Sequence, residues 1–207
     1  MYLSKLVLNP HNHKVLHDLS NAHHLHQTIM QAFPDEEHRE RPREDWHILF
    51  RQEPDSDIVL VQSDIEPDWS RLSGGYLRDH PTKPMNLDVS QFTPGRVYQF
   101  RLKANPSKRD SKTRKTIGLF YRKDQLDWLQ RQAERCGFRL QGVDVMPSPN
   151  VFGVKGKGTS PIRITTALYQ GILEVLEPEP FFMTLQQGIG RGKSYGCGLL
   201  SLARLGP

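Results

Sequence analysis

Apolar and polar positions alternate along some stretches of the chain and recur at helical spacing along others. Tyr2 to Leu8 is dense in β-branched and large apolar residues and predicts a strand. Asn21 predicts the N-cap of a helix running to about Phe33, where Pro34 stops it. On that helix Ala22, Leu25, Ile29 and Ala32 share one side, which predicts a face packed on a sheet. Trp46 to Glu53 and Asp57 to Ser63 predict a hairpin turning at Pro54, Asp55 and Ser56, and Pro67 to Leu72 a short helical turn. Val97 to Ala104 alternates most cleanly. Tyr98, Phe100, Leu102 and Ala104 point one way and Val97, Gln99, Arg101 and Lys103 the other. The order β-α-β-β-(short α)-β over residues 1–104 is that of a ferredoxin-like domain.

The basic stretch Asn105 to Lys115 then reads as an exposed linker, and the second half repeats the element order more loosely. Thr116 to Tyr121 predicts a short strand. Asp124 to Cys136 predicts a helix with Leu126, Leu129 and Ala133 inward, closed by Gly137. Phe138 to Val145 predicts a strand and Val151 to Pro161 a Gly- and Lys-rich hairpin tip. Ile162 to Leu176 predicts a long strand bent at Gly171, Pro178 to Gln187 a helix ended by Gly188, and Gly198 to Leu202 the last strand. The expected fold is α+β: two tandem ferredoxin-like (RRM-like) βαββαβ domains. The expected divisions are 1–104, a basic linker over 105–115, and 116–207. The halves share element order but no visible sequence identity.

Composition narrows the function. The chain has 207 residues and a formal net charge of +5, with no apolar run long enough to span a bilayer and no secretory pattern over residues 1–30. The expected location is the cytoplasm, with no membrane partner. Cys136 and Cys197 are the two cysteines and suggest neither a disulfide framework nor a zinc site. The positive charge is clustered: Lys108, Arg109, Lys112, Arg114 and Lys115 form one group, Lys155, Lys157 and Arg163 a second, Arg191 and Lys193 a third. Acidic residues gather elsewhere, at Asp35 to Asp45 and Asp64 to Asp68. Such segregation is the footprint of a polyanion binder, although a solvated loop has the same composition.

Residues 188–198 contain Gly188, Gly190, Gly192, Gly196 and Gly198 around Arg191 and Lys193. The spacing is not that of a P-loop, and the segment follows a helix and precedes a strand, the reverse of a dinucleotide-binding turn. Two readings stand: a tight connection needing positive φ, and a contact to a phosphate backbone.

Six of the nine histidines fall between His11 and His26. His23 and His26 are three apart on the predicted helix, but no third ligand is fixed by local sequence, so no metal is expected. At ~100° per residue, His26 lies just outside the stripe centred on Leu25 and Ile29, with His23 further from the core and His24 on the other flank. Surface histidines fit that placement. So does chemistry: RNA carries its own nucleophile, the 2′-hydroxyl, and its cleavage needs a base for that proton and an acid for the leaving 5′-oxygen. Imidazoles serve both roles near neutral pH without a metal or other cofactor.

Four segments in order resemble one family: Met1 to Pro10, His24 to Gln27, Phe100 to Pro106 and Gln187 to Leu202. They are similar to the CasE (Cse3) family of type I-E CRISPR-associated endoribonucleases. The resemblance runs nearly the full length. It implies two ferredoxin-like domains, recognition of the CRISPR repeat stem-loop, and metal-independent cleavage of the precursor RNA leaving a 2′,3′-cyclic phosphate or 3′-phosphate. It also implies retention as a subunit of the Cascade complex. By the same resemblance His26 is the catalytic histidine and Val151 to Arg163 the hairpin that grips the RNA stem. Some members carry tyrosine where this chain has His23, so the division of acid and base between the two histidines stays open. A non-catalytic RNA-binding subunit is the alternative.

Overall fold

The computed structural model describes residues 1–35, 41–146, 148–156 and 158–205. The chain forms β1 (Tyr2–Leu8), α1 (His13–Ser20), α2 (Ala22–Met30), α3 (Pro42–Asp45), β2 (Leu49–Gln52), β3 (Ile58–Ser63), β4 (Leu77–Asp79) and β5 (Thr82–Pro84). It continues with β6 (Val97–Ala104), β7 (Ser107–Arg109), β8 (Thr116–Gly118), α4 (Arg122–Arg135), β9 (Phe138–Met146) and β10 (Val151–Gly153). The last elements are β11 (Ile162–Ile164), β12 (Ala167–Val175), α5 (Pro178–Gln187) and β13 (Leu200–Arg204).

The chain divides into two units. The first comprises Met1–Asn86, Val151–Arg163 and Lys193–Gly196. Its antiparallel sheet runs β2-β3-β1-β4, with β5 also on β1. The core beneath it is built from Leu6, Leu8, Val15, Leu25, Ile29, Phe33, Trp46, Phe50, Val59, Val61, Trp69 and Tyr76. The second unit comprises Leu87–Asn150, Ile164–Gly192 and Cys197–Pro207. Its sheet runs β13-β6-β12-β9 and packs over Phe100, Leu102, Trp128, Leu129, Phe138, Tyr169, Leu173 and Phe181. In both units the fourth strand flanks the first and the third separates first from second. That is the ferredoxin-like arrangement, met twice.

Several expectations need revising. Val97–Ala104 is not the fourth strand of the first sheet. It is the first strand of the second, paired with β12 and β13. The fourth-strand role in the first sheet falls to β4 and β5, which carry too few apolar residues to be read. Pairing of β1 with β4 shifts register between Val7 and Leu8, and β5 pairs farther along the same edge at Tyr2–Ser4. The stretch 105–115 is not a linker. β7 and β8 form a hairpin within the second unit, and Asp110 closes its turn by accepting from the Thr113 and Lys112 amides.

The expected long strand 162–176 breaks into β11 and β12 around Thr165 and Thr166, and its shift against β9 falls at Ile172/Leu173. Gly171 is instead a point of close approach: a Cβ there would lie 1.9 Å from the carbonyl oxygen of Gly142. Leu126 is only half-buried, while Trp128 is buried beside Leu129 and Ala133.

α1 had no counterpart in the sequence reading. Asn12 caps it by accepting from the Lys14 and Val15 amides, and Val15 and Asp18 are its buried residues. Buried Asp18 is held by Thr28 Oγ1 (2.7 Å), Lys14 Nζ (3.1 Å) and Tyr76 Oη (3.0 Å). Burial alone would raise its pKa, but those bonds and the Lys14 charge outweigh it, so the carboxyl sits below its usual range. This polar knot fastens α1 and α2 to the segment before β4.

Candidate active site

The site lies in the first unit and starts from one asparagine. Asn21 caps α2 by accepting from the His23 amide at 3.1 Å. Its Oδ1 also accepts from the Val154 amide at 3.1 Å, and its Nδ2 donates to the Val154 carbonyl at 3.1 Å. One side chain therefore starts the histidine helix and grips the strand end just before Lys155. Gly153 permits the approach: a Cβ there would sit 2.9 Å from Asn21 Oδ1 and 3.3 Å from the His23 nitrogen. β10 and β11 pair as a two-stranded ribbon, with Lys155 and Arg163 exposed on it. Lys157 lies outside the described residues.

His26 stands one turn beyond His23 on α2. Its ring is nearly parallel to that of buried Phe50 on β2, tilted 11° with centroids 6.4 Å apart. The 3-10 turn Lys193–Tyr195 lies against α2 and β2, and Gly196 follows it at φ 79°, where a Cβ would be 3.2 Å from Phe50 Cε2. Burial, then the charges of Arg43, His23 and Lys155, push the His26 imidazole down to about 4. His23 is also lowered, by partial burial and then by Lys155 and His24. At neutral pH His26 is therefore a neutral imidazole in a cationic setting. Its Nδ1 is buried without a hydrogen-bond partner among the described residues.

Arg43, from α3, was not anticipated. Its side chain is 15% exposed, pairs with Glu44 at 3.2 Å and donates to the Ile48 carbonyl. No local pattern marks it, because its nearness to His26 is a product of tertiary folding.

The other predicted cations fall in two places. Lys193 is half-buried in the first unit. Lys108, Arg109, Lys112, Arg114, Lys115 and Arg191 belong to the second. There Arg191 donates to Thr116 Oγ1 at 2.6 Å and bridges to Asn105, so it sits beside the base of the β7–β8 hairpin. Gly188, Gly190, Gly192, Gly196 and Gly198 all have positive φ, from 74° to 97°, which the turn reading requires. Two of their amides serve the fold: Gly188 donates to Thr184 and Gly198 to Lys103. Cys136 and Cys197 form no disulfide with each other, and burial pushes the Cys197 thiol up to about 12, too high for a nucleophile.

Residues 1–204 match a family described as CRISPR associated protein. A Thermus thermophilus protein named CRISPR-associated endoribonuclease Cse3 is 38% identical, covering 98% of this chain and all of its own length. An Escherichia coli protein named CRISPR system Cascade subunit CasE is 32% identical over 99% of this chain. A solved structure of Cse3 bound to a 19-nucleotide RNA superposes with a TM-score of 0.86 at 35% identity over 98% of this chain. The E. coli Cas6e crystal structure gives 0.69 at 26% identity. Built on the same fold from end to end, the chain belongs to the CRISPR-associated protein family that includes Cse3 and CasE.

Proposed function

We propose that this protein is an endoribonuclease that binds the stem-loop of a CRISPR repeat, cuts the precursor RNA next to it, and stays on the product as a Cascade subunit. The observation that carries the reading is His26: a half-buried neutral imidazole, ringed by Arg43, His23 and Lys155, on a helix tied to a basic ribbon. Relatives of full-length similarity are named for this activity and this assembly.

In the proposed reaction His26 takes the proton of the 2′-hydroxyl. The 2′-oxygen attacks the adjacent phosphorus, the bond to the 5′-oxygen breaks, and that oxygen leaves with a proton from a second donor. The products are a 2′,3′-cyclic phosphate and a 5′-hydroxyl. An imidazole held near 4 is a weak base, but an arriving phosphodiester raises its pKa by offsetting the cations that depress it. Arg43 and Lys155 then face the charge that builds on the phosphorane. His23 is the nearest candidate for the donor. No step calls for a metal. Lys155 and Arg163 grip the stem by its backbone, and the hairpin cations Lys108, Arg109, Lys112, Arg114 and Lys115 with Arg191 supply further phosphate contacts. Binding is therefore steeply salt-dependent.

The test uses purified protein and labelled repeat RNA in EDTA. Wild type is expected to cut all-ribose RNA and not RNA with a single 2′-deoxy sugar at the scissile position. His26→Ala is expected to bind as wild type and to lose cleavage by at least about a hundredfold. Cleavage by His26→Ala at the wild-type rate, or dependence on magnesium, overturns the mechanism. Binding without any cleavage of all-ribose RNA makes the protein a non-catalytic subunit.

A further inference from the structure

The function above uses His23 and His26 and leaves the neighbouring histidines without a role. Two of them have come together. His17, near the end of α1, and His24, near the start of α2, stack with ring centroids 4.3 Å apart and planes 14° from parallel. Beneath them lies Asp18, with His17 Nδ1 3.4 Å from its Oδ1. One ligand atom from each of the three side chains lies within 4.8 Å of the other two.

We propose that His17, Asp18 and His24 form a binding site for a divalent cation of the zinc class, joining α1 to α2 on a flank of the helix apart from His26. The donor set is two imidazole nitrogens and one carboxylate oxygen, which suits Zn²⁺ and its neighbours and leaves a coordination position for water. Two features point to a ligand beyond the clustering itself. The Nδ1 of His24 is buried and has no hydrogen-bond partner among the described residues, a costly state that a bound cation removes. Asp18 is also oriented as a ligand needs. Its Oδ2 takes all three bonds from Lys14, Thr28 and Tyr76, so Oδ1 is presented toward His17.

Binding would draw these atoms in from their present spacing of up to 4.8 Å, and the His17 side chain, 63% exposed, has room to turn toward the other two. Metal at His24 Nδ1 places the ring proton on Nε2. The Asn21 amide, now 3.3 Å from that nitrogen, releases it and keeps its bond to Val154. The cation therefore acts on α1 and α2 as a clasp and takes no part in the RNA reaction.

Calorimetric titration of the metal-free protein with ZnCl₂ tests this. About one equivalent is expected to bind, and zinc at about a hundred times its Kd to raise the thermal midpoint by several degrees. His17→Ala, at an exposed position, and His24→Ala are each expected to weaken binding at least tenfold, by about that or more. His26→Ala and His13→Ala are expected to bind as wild type. His13 is the sharper control, since it stands one turn before His17 on α1 and could pair with it alone. The inference is overturned if zinc does not bind, if both His17→Ala and His24→Ala bind it unchanged, or if the loss follows His13 or His26. Thermal melts in EDTA show that each variant is folded.

Discussion

Replacing Asn21 by alanine probes the joint on which the site depends. The variant loses the α2 cap, worth about 1 kcal/mol. It also loses two hydrogen bonds to Val154, each worth about 1 kcal/mol net. The three bonds run 3.1 Å each and share one side chain, so the total is about 2–3 kcal/mol once their coupling is allowed for. For a chain of this size that corresponds to a fall in thermal midpoint of roughly 5–10 °C. Amide exchange separates the two effects, because the Val154 N–H loses its acceptor while the β1–β3 ladder does not. Asn21→Asp keeps the oxygen that caps the helix and receives the Val154 amide, but sets a carboxylate oxygen against the Val154 carbonyl. It is expected to fall between wild type and alanine. Cleavage should drop by about tenfold in Asn21→Ala as Lys155 loses its fixed place near His26, equivalent to about 1.4 kcal/mol of barrier. A midpoint within about 1 °C of wild type, with Val154 exchange unchanged, would refute the reasoning.

Acid should expose the burial of His26. Its folded pKa, about 4, lies below the ordinary 6.5, so between those values the unfolded chain binds the extra proton. The stability at issue is intact above pH 6.5 and drains away as pH falls toward 4, by up to about 3 kcal/mol. Urea unfolding at pH 7 and 4.5 should show a loss in wild type that is smaller in His26→Gln; equal losses would contradict the assignment. Gly171→Ala forces a Cβ against the Gly142 carbonyl, with only backbone available to yield. We expect about 3 kcal/mol of destabilisation in chemical denaturation, and a neutral result would show that β9 and β12 can part without cost.

The sequence exposed faces more reliably than partners. β6 alternates so regularly that its extent and buried side are readable, yet alternation does not say which sheet it joins, and its neighbours come from residues far along the chain. β4 and β5 were hidden for a different reason. Three-residue edge strands carrying Arg78, Asp79, Lys83 and Pro84 have no apolar run to reveal them. α1 was obscured because its inward face includes Asp18, a carboxylate acceptable in a core only with Thr28, Lys14 and Tyr76 around it. Within the site, the role given to His26 came from the family resemblance, whereas the Asn21 cap and the place of His26 at the edge of the apolar stripe were legible from spacing and residue type. The second duty of Asn21 at Val154, the nearness of Arg43 and the pairing of His17 with His24 were not, since each depends on tertiary contacts that spacing alone does not encode.

The first unit is stitched from three stretches of chain, with the Val151–Arg163 ribbon and the Lys193–Gly196 turn arriving long after its sheet is complete. No fragment that stops short of Gly196 therefore carries the complete surroundings of α2. During synthesis the histidines emerge well before Lys155 and the glycine-flanked turn that reach their helix, so nuclease activity should switch on only once nearly the whole polypeptide has left the ribosome.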